Sequence, residues 1–262
     1  MSERKAYPSD MSDEEWERME GFIPGGKPGG RTRAVNMREV VNGMFYIRRG
    51  GCAWRMMPHD LPHWRTVYGY YRDWISSGLW VFINDCLRAD WRMAKDRNPE
   101  PSAGVIDSQS VKTTEKGGPH SWDGHKQVNG RKRHVLVDTL GNLWRVCVLT
   151  AKTSDVNGAI ALFEHFKQPP ERLKHLWADR SYRGNPLSDW LKDQLGVTLQ
   201  IVAKPDNAPA FVLLPRRWVV ERSLAWAGRF RRLSKDYEQL PAVSEAFFYL
   251  ASIRRFLRLL AA

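Results

Sequence analysis

The feature that most constrains the fold of this 262-residue chain is a change of hydrophobic period near residue 100. Before it, apolar residues recur at helical spacing, as Val40, Met44 and Ile47 do within residues 36–49. After it, Gly104-Val-Ile-Asp-Ser-Gln-Ser-Val111 alternates in the period-two manner of a strand. One element cannot satisfy both periods, so the chain must build a helical part and a sheet-containing part. Asp96 to Pro101, polar and carrying two prolines, reads as the linker between them.

Local signals fill in the elements. Ser12 stands as an N-cap before Asp13, Glu14 and Glu15, whose charges favour a helix N-terminus, and that helix runs toward Gly21. Pro24 to Gly30 is too rich in Gly and Pro for regular structure. Helices are expected over 36–49, closed by Gly50-Gly51, and over 63–77 and 79–92 after a turn at Pro58 to Pro62. Past the linker come a strand at 104–111, a Gly-rich loop at 115–130 and a hairpin of 132–138 with 143–150 around Gly141-Asn142. A helix at 155–167, a strand at 174–178, a helix at 186–195 and a strand at 197–203 follow, then a long helix over about 216–233 and a last helix. This order describes an α/β (α+β) fold, a mixed sheet with flanking helices preceded by an all-helical region. The expected division is 1–95, a linker at 96–103, and 104–262.

Composition narrows the function classes. The balance of 42% hydrophobic and 27% charged residues is globular. The best apolar run, Gly78 to Ile83, falls far short of the ~20 residues of a membrane span, and the N-terminus lacks a signal-peptide core. Three cysteines, Cys52, Cys86 and Cys147, form no CxxC pair, which excludes a disulfide framework and a four-cysteine zinc site and fits a reducing cytoplasm. The histidine pairs 59/63 and 120/125 have no cysteine nearby and are not expected to bind zinc. The net charge of +12 points to a polyanion partner. Its distribution is blocky: residues 1–24 hold 3 basic and 7 acidic side chains, 25–80 hold 9 and 3, and 216–235 hold 7 and 1.

Three acids have the placement a metal-dependent nuclease requires. Asp107 lies inside a strand, Asp179 ends another, and Glu221 sits on a basic helix, opposite the apolar stripe of Val219, Trp226, Phe230 and Leu233. Carboxylates in such a set can hold divalent ions that activate a water or sugar hydroxyl and stabilise the leaving oxygen of a phosphodiester. Plainer roles remain open for each: Asp107 paired with Lys112, Asp179 as a turn residue, Glu221 bridged to Arg217. Asp138 is a rival acid that reads as a hairpin-turn residue.

The segments Val105-Ile-Asp-Ser-Gln-Ser-Val-Lys112, Gly130-Arg-Lys-Arg-His-Val-Leu-Val-Asp-Thr-Leu-Gly141, Trp177-Ala-Asp-Arg-Ser-Tyr-Arg-Gly184 and Arg217-Trp-Val-Val-Glu-Arg-Ser-Leu-Ala-Trp226 resemble bacterial DDE transposases of the insertion-sequence-five family. Gly51-Cys-Ala-Trp-Arg-Met-Met-Pro58 and Trp64-Arg-Thr-Val-Tyr68 resemble the helical DNA-binding part of that family. The resemblance implies an RNase H-like catalytic domain with Asp107, Asp179 and Glu221 as catalytic, metal-binding acids, two Mg²⁺ ions with Mn²⁺ as substitute, and double-stranded DNA as substrate. It implies cutting at terminal inverted repeats and joining of the freed 3′-OH to target DNA, by a homodimer or higher oligomer in the bacterial cytoplasm, at the nucleoid. Phosphate contacts are then expected from Lys112, Lys126, Lys132, Arg133, Arg183 and Arg222, and inverted-repeat contacts from Arg48, Arg49, Arg55, Arg65 and Arg72. Arg31 and Arg33 on the Gly-rich arm would reach a minor groove. Related insertion-sequence transposases carry a Tyr-Arg-Glu-Lys pattern. Here Arg217 and Glu221 fit it, Leu214 stands at the Tyr position, and Gly228 takes the Lys position with Arg229 beside it. The alternatives are a transposase-derived regulator that binds without cutting, and a nuclease that cuts without joining.

Overall fold

The computed structural model describes residues 4–26, 29, 33–115, 117–203 and 216–262. Four helices lead: α1 (Asp13–Glu20), α2 (Met37–Gly50), α3 (Trp64–Ser76) and α4 (Leu79–Met93). Ser12 caps α1 in a reciprocal box with Glu15, and the Asn36 side chain caps α2. Gly51 ends α2 at φ 73°, and a Cβ there would lie 2.8 Å from Arg231 Cβ, so only glycine lets the 51–58 loop dock on the turn at 231.

The sheet contains β1 (Ala103–Lys112), β2 (Ser121–Asp123), β3 (Val128–Asp138), β4 (Leu143–Thr150), β5 (His175–Ala178) and β6 (Thr198–Ile201). Its order is β2-β3-β1-β5-β6, with β4 beside β3. β1 runs antiparallel to β3 and parallel to β5, and β6 is parallel to β5. The expected loop at 115–130 is thus partly strand: β2 and the start of β3 form a small antiparallel arm. Alternation delivers two cores. Val105, Val135, Val137, Val146 and Trp177 face one side, and Ile106, Leu136, Cys147 and Ala178 the other. The second face is covered by α5 (Asp155–Glu164) and α6 (Asn185–Leu195), the first by α7 (Trp218–Gly228) and α8 (Pro241–Leu260).

The N-terminal helices share the first core: Val40, Phe45, Tyr71 and Trp80 bury with Phe247, Leu250, Ile253 and Leu257 of α8. The Tyr71 hydroxyl donates to Val243 O at 2.9 Å, and Arg254 of α8 pairs with Glu15 of α1.

The long helix expected over 216–233 is shorter. α7 stops at Gly228, and a short 3₁₀ turn (Arg231–Leu233) follows. Buried arginines on β3 compensate the irregular chain beyond it. Arg133 donates to Leu233 O and Lys235 O, and Arg131 to Glu238 O and Gln239 O. Their guanidiniums satisfy carbonyls that a continued helix would have satisfied internally.

Asp138 has the turn role expected for it. It accepts N–H bonds from Leu140 and Asn142 and pairs with Arg92 of α4 at 2.7 Å, fully buried.

Candidate active site

The parallel register brings the first two acids together. Val105 pairs with Trp177, so two residues further along both strands Asp107 and Asp179 stand side by side on the same face. β5 ends at Ala178, and the neighbouring strands part at the acids. α7 packs across that face through Val219, Val220 and Leu224, which leaves Glu221 over the gap. The three side chains are progressively more open, 14%, 27% and 53% exposed.

Arg217 lies between them. Its Nη2 is 3.1 Å from Glu221 Oε1, 3.8 Å from Asp179 Oδ2 and 3.9 Å from Asp107 Oδ2. Three carboxylates therefore face one positive atom. Burial pushes the Asp107 carboxyl up to about 6, and the charges of Asp179 and Glu221 push the same way, against the Ser108 N–H bond and Arg217. At neutral pH the ionised acid carries this penalty, which a bound cation would offset. The donors are all oxygens, which suits Mg²⁺ or Mn²⁺ and not a thiolate-seeking ion. The donor chemistry fits the metal that the resemblance implies, although with Arg217 between them the three carboxylates do not all come within 4.8 Å of one another.

Neighbouring groups orient the acids. Ser108 N–H donates to Asp107 Oδ1 at 2.8 Å, and the Ser181 N–H and hydroxyl both donate to Asp179 Oδ1. The Ser108 hydroxyl continues to Asp155, which pairs with Lys132, and Lys132 faces Asp123. Sequence reasoning misses Ser108, Ser181 and Asp155. Only the Asp-x-Ser spacing at 179–181, a local turn signal, points to one of them.

Two family descriptions match the chain, "Transposase DDE domain" over residues 98–255 and "Putative transposase of IS4/5 family" over residues 11–84. The chain belongs to the transposase DDE-domain family. It is 29% identical over 142 residues to a putative transposase for insertion sequence element IS402 of Burkholderia cepacia, covering 52% of this chain and 65% of that protein. It is 36% identical over 69 residues to the uncharacterized protein y4sN of Sinorhizobium fredii (strain NBRC 101917 / NGR234), covering 26% of this chain and 55% of that one. The chain therefore spans just over half to about two thirds of the length of these relatives. No solved structure matches. Among the described residues no helix is long and apolar enough to cross a membrane.

In this DDE-domain chain the expected DNA contacts divide sharply. Arg48 and Arg133 are buried, Arg48 against Phe230 and Phe45 and Arg133 on the carbonyls of 233 and 235. Lys132 is buried and bonded to Thr153 O and Asp155. These three cannot reach a phosphate, because their charges are held inside the fold. Arg222 is half-buried between Trp218 and Trp226 and donates to Leu140 O. Arg33 is tied to Pro24 O and Gly25 O beside Tyr70. Arg217 faces the acids. Arg49, Arg55, Arg65, Arg72, Lys112, Lys126, Arg183 and Arg229 are exposed. Arg55, from the short turn at Trp54–Met56, and Arg65 flank the Trp64 ring, and Arg72 lies over Tyr68, so α3 and that turn together carry a ridge of alternating cations and rings. Arg31 and Leu214 lie outside the described residues.

Proposed function

We propose that this chain is a transposase that binds the terminal inverted repeats of an insertion sequence, cuts the DNA there and joins the freed 3′-OH to target DNA. The observation that carries the reading is the convergence of Asp107, Asp179 and Glu221, from three separate elements, on one cation position. These acids would hold two Mg²⁺ ions, with Mn²⁺ as substitute. When bound, such ions activate a water or 3′-OH and stabilise the leaving oxygen of a phosphodiester.

The chain's own groups supply orientation and charge. Ser108 and Ser181 fix the two aspartates, so the oxygens facing the gap are set before DNA arrives. Arg217 offsets the mutual repulsion of the acids and becomes free to take a phosphate oxygen once they have another cation. The ridge of Arg55, Trp64, Arg65, Tyr68 and Arg72 is the surface for the element end, and Lys112, Lys126, Arg183 and Arg229 are further phosphate contacts. Two ends must be handled together, so the working form is a homodimer or larger assembly, acting on nucleoid DNA in a bacterial cytoplasm.

The test is strand transfer with labelled DNA carrying the inverted repeat that flanks the gene, supercoiled plasmid and Mg²⁺ or Mn²⁺, with Asp179→Asn as control. Joined product from the wild type alone supports the reading. Cutting without joining replaces it with a nuclease. Tight metal-independent binding with neither reaction replaces it with a regulator.

A further inference from the structure

A second group of ligand atoms lies on β4, which is separated from β1 by β3. Cys147 Sγ, a ring nitrogen of His165 and a carboxylate oxygen of Glu245 are all within 4.8 Å of one another. Among the described residues no other group of three or more His, Cys, Asp or Glu brings its ligand atoms so close together. The fold explains the meeting. Cys147 points into the core under α5, and His165 is the residue that ends α5. Glu245 comes from the second turn of α8, on the opposite face of the sheet. Elements on opposite faces can touch only where the sheet stops, and β4 pairs with β3 alone.

Cys147 packs in the core, while the two polar side chains beside it form no ion pair with a Lys or Arg among the described residues. Glu245 has no Lys or Arg within 4.0 Å among the described residues, although it is half-buried. One of its oxygens accepts the Val148 N–H at 2.8 Å, which fixes the carboxylate and leaves the other oxygen available. His165 is exposed and Cys147 is buried, so the group opens to solvent on one side only.

We propose that Cys147, His165 and Glu245 bind one zinc-class divalent ion, separate from the oxygen-only site of the three acids. Thiolate and imidazole select a borderline-soft ion, whereas Mg²⁺ prefers a shell of oxygens. Binding converts the Cys147 thiol to thiolate, with its proton released to solvent, and changes no oxidation state. Tetrahedral zinc places its donors roughly 3.3–3.8 Å apart, so a separation near the 4.8 Å bound closes by about 1 Å through small side-chain adjustments, to which the exposed His165 ring contributes. Water completes the shell on the open side. The ion clips the end of α5 to the start of α8 across the edge of β4.

The experiment uses the full chain, stripped of metal and titrated with Co²⁺ as an optical probe, then with Zn²⁺. One equivalent of Co²⁺ is expected to give a thiolate-to-cobalt charge-transfer band in the near ultraviolet, displaced by Zn²⁺. Zn²⁺ is expected to raise the melting temperature by about 5 °C. Cys147→Ser removes the band, whereas Cys52→Ser, Cys86→Ser and Asp179→Asn keep it. His165→Asn, at an exposed position that does not test the fold, weakens Co²⁺ binding at least tenfold. Glu245→Gln does the same. The proposal is overturned if no band forms, if the band survives Cys147→Ser, or if His165→Asn binds as the wild type does. None of these readings depends on DNA cleavage, so they stand or fall apart from the transposase reading.

Discussion

Arg217 precedes Glu221 by one helical turn, and its guanidinium contacts that glutamate at 3.1 Å while also facing Asp107 and Asp179. The pair is more than a surface i,i+4 bridge, because the same nitrogen neutralises two strand carboxylates. Arg217→Gln is expected to lower the metal-free melting temperature by about 2–4 °C, a loss of about 1 kcal/mol for these partly exposed acids. Mn²⁺ at millimolar concentration should restore it. Thermal melts with and without Mn²⁺ decide the matter, and an unchanged metal-free melt would show that Arg217 carries none of this charge.

Half-buried Asp107 and fully buried Asp138 should respond oppositely to removal. Asp107 has its folded pKa raised from 3.8 to about 6, so its ionised form is disfavoured by folding. Stability falls as pH rises through that window, and at pH 7 without metal the wild type bears the full penalty. Asp107→Asn should therefore gain about 2 kcal/mol in chemical denaturation while losing cleavage and keeping DNA binding. Asp138→Ala should lose about 3–5 kcal/mol, because it strands buried Arg92 and opens the hairpin turn.

His134 and Gly158 form a tight pair. Burial pushes the imidazole down to about 4, and among the described residues neither ring nitrogen has a hydrogen-bond partner. A Cβ at position 158 would lie 2.0 Å from the ring, so only glycine lets α5 sit on β3 here. The folded pKa is below the unfolded 6.5, so this stability is present above pH 6.5 and is lost as pH falls toward 4, about 3 kcal/mol in all. His134→Gln should flatten that part of the acid limb relative to wild type in denaturant titrations at successive pH values. Gly158→Ala should cost about 2–3 kcal/mol, and much of it should return in the double variant with His134→Ala.

DNA binding should separate exposed from buried arginines. Neutralising Arg55, Arg65 and Arg72 is expected to reduce the slope of log affinity against log salt by about 0.9 for each phosphate that is no longer neutralised. Arg48→Gln and Arg133→Gln should leave the slope alone, since both guanidiniums are internal, and Arg133→Gln should also lower stability by leaving the carbonyls of 233 and 235 unpaired. Fluorescence anisotropy across a salt series reads this, and an unchanged slope in the triple variant would remove the ridge from the DNA surface.

Much of the architecture is legible in the sequence because local signals agree with tertiary needs. Ser12 and Asn36 cap the helices they are expected to open, Asp138 turns the hairpin, and Asp107, Asp179 and Glu221 meet as their element positions imply. What stays hidden depends on long-range partners. Nothing near Arg133 in sequence announces that it will satisfy carbonyls a hundred residues away, so it reads as a phosphate contact. The early end of α7 has the same origin, since those arginines make an irregular 229–240 segment tolerable. The arm of β2 and β3 escapes sequence reading because its Gly-rich stretch has turn chemistry throughout.

The place of α8 also bears on modularity. One helix closes the core of the N-terminal helices and the core of one sheet face at once. Grafting residues 1–95 of a relative onto this chain would set foreign side chains against Phe247, Leu250, Ile253 and Leu257. Exchange of that segment between relatives therefore has to carry the matching face of α8 with it, and drift in one must be answered by drift in the other.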